Sequence, residues 1–209
     1  TASGGSSTAM GSFTTASGNS STAMGYDTQA SGYASTAMGG STTASGDDST
    51  AMGASTEASG SYSTAMGWLT KASGIASTAM GENATASGTS STAMGNGTEA
   101  SGDDSTAIGS GSTASGRYST AMGWLTKASG YISTAMGYET TASGDTSTAM
   151  GSGTTASDFG SLVIGRYNSS GSSLTSATSA TTFNTANTAF VIGNGTGTGV
   201  DASDAFKVL

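Results

Sequence analysis

The residues with chemistry to offer recur at a fixed interval. Asp47-Asp48 returns as Asp103-Asp104, and Trp68-Leu69-Thr70-Lys71 returns as Trp124-Leu125-Thr126-Lys127, each 56 residues later. Adjacent carboxylates suggest calcium, but Ca²⁺ takes about six to eight oxygens. Neither an EF-hand loop nor a G-G-x-G-x-D-x repeat is present, so these pairs read as solvated turn acids. Serine is abundant, yet the chain has no histidine to activate a hydroxyl. Lys71 and Lys127 stand at a variable position, which speaks against a general-base role. The glycine-rich stretches lack the G-x-x-x-x-G-K-[ST] pattern that cradles phosphate, and no helix pattern follows them. No cysteine means no disulfide framework and no thiolate metal cage. The reading is therefore no enzyme, no cofactor and no metal.

Composition narrows the class further. The 209 residues include 34 glycines and no proline, only 9% are charged, and the net charge is −8 with a pI near 4.1. Such acidity argues against nucleic acid and anionic membrane as partners. No apolar run reaches the ~18 residues of a membrane-spanning helix. Thr1 opens the chain without an initiator Met or a signal-peptide pattern, which predicts a piece of a longer protein.

The elements that would position these groups are set by a repeat. Met10, Met24, Met38, Met52, Met66, Met80, Met94, Ile108, Met122, Met136, Met150 and Ile164 stand 14 residues apart without a slip. Between them lies a second half-unit, from Ala16-Ser17-Gly18 to Ala142-Ser143-Gly144. The unit is x-x-S-T-A-M-G-x-x-T-x-A-S-G. A coiled coil is excluded, because its apolar positions are adjacent rather than three and four apart. Each repeat glycine would also cost a helix about 1 kcal/mol.

Short strands joined by glycine-marked turns fit instead. Side chains alternate faces along a strand, so Thr8 and Met10 share one face, and Ser7 and Ala9 the other. Gln29, Glu57, Lys71, Glu99 and Lys127 occupy the position of Thr15, which marks that position as outward and places Thr14 and Ala16 inward. The Met/Ile column is expected to point inward as the core. A 14-residue coil is thin, however. It buries little apolar area against ~1–2 kcal/mol of backbone entropy per residue. Columns left on a second face therefore predict self-association in register.

S-T-A-M-G…T-x-A-S-G resembles the S-V-A-I-G…S-x-A-x-G repeat of YadA-like heads of trimeric autotransporter adhesins. Ser161-Leu162-Val163-Ile164-Gly165 and Ala189-Phe190-Val191-Ile192-Gly193 are closer still to that apolar form. The resemblance covers residues 1–165 strongly and 183–195 more weakly. It implies an all-β, left-handed parallel β-roll assembled as a homotrimer. It also implies an extracellular, cell-surface setting. Similar heads occur in phage tail fibres. Thr for Val and Met for Ile are this chain's departures.

On this reading residues 1–167 form a head of about twelve coils. Residues 168–209 hold an insertion, a return to the roll and a capping or connecting segment. Ile164 and Ile192 are two repeat lengths apart, and Ala205 to Leu209 alternate as a strand.

The bulky residues fall in the two-residue turns. One edge carries Phe13, Tyr26, Trp68, Leu69, Trp124, Leu125 and Tyr138; the other carries Tyr33, Tyr62, Ile75, Tyr118, Tyr131 and Ile132. At ~4.8 Å per coil the two Trp positions are expected about 19 Å apart. These residues are candidates for an adhesive stripe toward a host, matrix or cell-surface protein or glycan, or for the inter-chain seam. The function expected is an adhesive head segment. The alternatives are a spacer or receptor-binding part of a tail fibre, and an ice-binding solenoid. The last requires an outward Thr rank, against which the shared face of Thr8 and Met10 speaks.

Overall fold

Each repeat closes one coil of a parallel β-solenoid. The structure, a computed structural model, describes residues 1–168, 181, 188–198 and 201–208. All twenty-five of its regular elements are strands. A coil consists of a five-residue strand such as β1 (Thr8–Ser12), a two-residue turn, a two-residue strand such as β2 (Thr15–Ala16), and a five-residue connection, residues 17–21, that holds the second turn. Eleven short strands mark about eleven such coils.

The chain divides into two compact units, Thr1–Asp104 and Ser105–Leu209. In the first, the long strands from β1 to β13 (Thr92–Asn96) stack in chain order in one sheet. The short strands from β2 to β14 (Glu99–Ala100) stack in a second. In the second unit the long strands run from β15 (Thr106–Ser110) to β23 (Leu162–Arg166). The short ones run from β16 (Thr113–Ala114) to β22 (Thr155–Ala156). Register is exact at one repeat: Thr22 pairs with Thr36, Ala23 with Ala37 and Met24 with Met38.

The bore is lined by small side chains. Ser21, Ala23, Thr28 and Ala30 are at most 1% exposed, and the pattern repeats coil after coil. Thr14 and Ala16 point inward, as their register predicts. In several coils the inward serine also ties the turn: Ser35 Oγ donates to the carbonyl of Gly32 at 2.8 Å, and Ser133 Oγ to that of Gly130 at 2.7 Å. Backbone ladders therefore carry more of this fold than apolar burial does, since alanine has little side chain to hide.

The Met/Ile column does not point inward, which corrects the expectation from the sequence. Met10 is 59% exposed, Met94 and Met122 are each 36% exposed, and their equivalents from Met24 to Ile164 are half-buried. The column lies on the outer face of the long-strand sheet together with Thr22, Thr36 and the other threonines of the motif. The reason is volume. Two-fold alternation forces Ala23 and Met24 to opposite faces, and a bore already filled by Ser, Ala and Thr admits the alanine and not the methionine.

Glycine is required where coils touch most closely. Gly39 sits at φ 126°, and a Cβ there would stand 1.9 Å from the carbonyl oxygen of Gly53 in the next coil. Its neighbour Gly40 has no atom within 4 Å of that position. The absence of proline suits ladders in which each N–H is a donor.

Two side chains end the short-strand sheet. Asn168 stands one repeat after Thr154, and its side chain pairs with the backbone of Thr155 in both directions. Oδ1 accepts from Thr155 N at 2.8 Å, and Nδ2 donates to Thr155 O at 3.0 Å. Asp158 occupies the position that glycine holds at Gly144, and its buried Oδ2 accepts from Thr188 N at 2.8 Å. The long-strand sheet goes on: β24 (Phe190–Asn194) pairs in parallel with β23, Ile164 opposite Ile192. Then β25 (Asp204–Val208) adds antiparallel, with a bulge at Ile192/Gly193. Most of the segment read as an insertion lies outside the described residues, as do Gly199 and Leu209.

Candidate functional site

The turns put the candidate aromatic and aliphatic residues on one of two edges. The second residue of most turns adopts a left-handed backbone. This suits Ser6, Ser20 and Asp48 but also holds Phe13 (φ 57°), Tyr62 (φ 61°), Leu69 (φ 55°), Tyr118 (φ 59°), Leu125 (φ 51°) and Ile132 (φ 54°). A bulky residue there costs about 1–2 kcal/mol, most for β-branched Ile132. These six, with Tyr26, Tyr33, Trp68, Trp124, Tyr131 and Tyr138, are all exposed on the single chain. Six of these twelve exposed side chains thus sit on a strained backbone as well.

In the first unit, Phe13 and Tyr26 meet edge to face at 5.7 Å between centroids. Trp68-Leu69 stands between the small turns at Ala54-Ser55 and Glu82-Asn83. Lys71, just past it, is bonded to Glu57 of the preceding coil at 3.0 Å. On the opposite edge Tyr33, Tyr62 and Ile75 share successive turns with Asp47-Asp48. Asp47 Oδ1 accepts the backbone N–H of Tyr33 at 2.9 Å, and Asp103 does the same for Thr89. These acids therefore cap neighbouring turns. Among the described residues no group of three or more His, Cys, Asp or Glu is placed to hold a metal.

The second unit concentrates the rings. Trp124 and Tyr138 stack at 4.5 Å, 15° from parallel. Leu125 leans over Gly111, and the ring of Tyr167 over Gly153; a Cβ on either glycine would collide with the side chain above it. The Tyr138 phenol is held above its usual value near 10. Loss of water to its neighbours acts first, then the charge of Glu139, then Tyr167 and a hydrogen bond to Glu139. On the other edge Tyr118 and Tyr131 meet edge to face at 5.7 Å, with the Arg117 guanidinium 4.7 Å above the Tyr118 ring.

The sequence had not singled out Glu139, Tyr167, Gly111 or Gly153 as parts of this surface. Their signal was a departure from the Ser/Asp/Asn that fills most turns. Asp158 and Asn168 carried a plainer one, since both break the repeat.

The described residues form a regular parallel β-solenoid with exposed rings on its turns. The family model of the YadA head domain repeat matches residues 2–28, 30–56, 44–70, 72–98, 100–126 and 128–166. The chain therefore belongs to the YadA head family, a domain of surface-exposed adhesins. No curated protein matches it at a comparable level. Among the described residues no helix is long and apolar enough to cross a membrane.

Proposed function

We propose that this chain is a head segment of a trimeric extracellular surface fibre that carries adhesive turns. Family membership over most of the chain supports the fibre class. The observation that supports the trimer is the outer face of the long-strand sheet. There, Met24, Met38, Met52 and their equivalents form an in-register apolar column that the chain itself leaves half uncovered. Three copies of that face, packed in the left-handed manner of the family, would bury it. An outward Thr rank also exists, contrary to expectation. It shares its face with methionine, which suits protein contact better than ordered water.

With that face as the seam, the turn aromatics remain to meet a host, matrix or cell-surface ligand. The test is adhesion of cells or beads coated with the chain, compared with Trp68→Ser plus Trp124→Ser. Adhesion should fall at least several-fold while the solution mass stays unchanged. Full adhesion by the double variant would count against the aromatic stripe.

A further inference from the structure

The charge of the chain is concentrated in one unit. Thr1–Asp104 contains eight carboxylates and a single basic side chain, Lys71, and so carries −7 of the net −8. Lys71 is itself engaged by Glu57 on the short-strand sheet. The edge bearing Tyr33, Asp47, Asp48, Tyr62 and Ile75 therefore has no cation of its own.

The ladder sets these five side chains in two columns. Tyr33, Asp47 and Ile75 belong to the first turn position. Asp48 and Tyr62 belong to the second, where Asp48 N donates to Tyr33 O at 2.7 Å and Tyr62 N to Asp47 O at 2.8 Å. Rings and carboxylates thus alternate along three coil steps, about 14 Å at strand spacing. One oxygen of Asp47 is used by the Tyr33 N–H, and the Asp48 carboxylate is exposed. Tyr33 is 56% and Tyr62 65% exposed, beside Ile75 at 56%.

We propose that this edge docks a basic polypeptide segment, rich in Lys and Arg with aliphatic stems. Carboxylates bind ammonium and guanidinium groups through charge-assisted hydrogen bonds. Tyrosine faces attract the same cations through the ring quadrupole. The stems of Lys and Arg cover apolar surface such as Ile75. Electrostatic complementarity selects this occupant over an acidic or neutral one. The assignment deepens the adhesive reading and rests on it, since it leaves this edge outside the seam.

The experiment is fluorescence anisotropy of a short labelled Lys/Arg peptide titrated with the full 209-residue chain at physiological salt. Tyr33→Ser with Tyr62→Ser keeps every charge and should weaken binding about tenfold, the sum of two modest cation–ring contacts. Asp47→Asn with Asp48→Asn should weaken it at least as much. Glu82→Gln with Glu99→Gln removes the same charge elsewhere in the unit and should change it less than twofold. Equal binding by the tyrosine variant, or equal loss in the control, would overturn the proposal in favour of diffuse attraction. A chain that is trimeric and adheres to cells yet ignores the peptide would sink this inference and leave the adhesive reading standing.

Discussion

Asp158 accepts the backbone N–H of Thr188, thirty residues onward, at 2.8 Å. The bond joins the end of the short-strand sheet to the segment that re-enters the long-strand sheet. In earlier coils this position cannot carry a side chain: a Cβ on Gly144 would stand 2.2 Å from the carbonyl oxygen of Asp158 itself. An aspartate is admitted where the short-strand sheet ends at β22.

Asp158→Ala should therefore loosen the end of the roll. It leaves the Thr188 N–H without its acceptor, at a cost of about 1–3 kcal/mol. Hydrogen exchange should show lower protection at Val191 and Ile192 and unchanged protection at Ala37 and Met38. Uniform protection in the variant would show that the bond is dispensable.

Gly39 and Gly40 are neighbours with opposite demands. Gly39→Ala drives a Cβ into the next coil's carbonyl at a left-handed backbone and should cost more than about 4 kcal/mol or prevent folding. Gly40→Ala meets open space and should stay within about 0.5 kcal/mol of the parent. Urea denaturation of both variants checks the contrast, and equal losses would contradict the close approach of the coils.

These contrasts show what the sequence could convey. The 14-residue period, the strands, the turns and the inward Thr14 and Ala16 follow from spacing and residue type. The face of the methionines did not. Thr22-Ala23-Met24 states that Ala23 and Met24 oppose each other, but alternation alone does not say which is inside. The width of the bore decides it, and width is a property of the closed coil. For the same reason the leaning of Tyr167 over Gly153 and the stack of Trp124 on Tyr138 were hidden. The 14-residue period makes each pair neighbours, but the direction in which each ring leans is set only in the closed coil.

Tyr138 offers a pH test of its surroundings on this edge. Its phenol binds its proton more tightly in the fold than in the unfolded chain, so the stability it contributes is present below pH 10. That stability is lost as the pH rises through the higher folded value. Glu139→Gln should move the Tyr138 titration down toward 10, read by NMR of the ring-labelled tyrosine. An unmoved titration would remove Glu139 as a cause.

Ala65 and Met66 separate folding from assembly. Ala65→Leu overfills the bore and should destabilise the coil by about 1–3 kcal/mol. Met66→Glu changes only the outer face, so it should leave the circular dichroism unchanged while lowering the association state. Loss of β-structure in Met66→Glu would place the methionine in the core after all.

In the proposed trimer the Met/Thr face is where three chains meet. Light scattering of the purified chain tests it most directly. The expected result is a β-rich particle near three times the 19.9 kDa chain mass, reduced to the single-chain mass by Met66→Glu. A folded parent chain at 19.9 kDa would contradict it, because the methionine column would then stand in water without a partner.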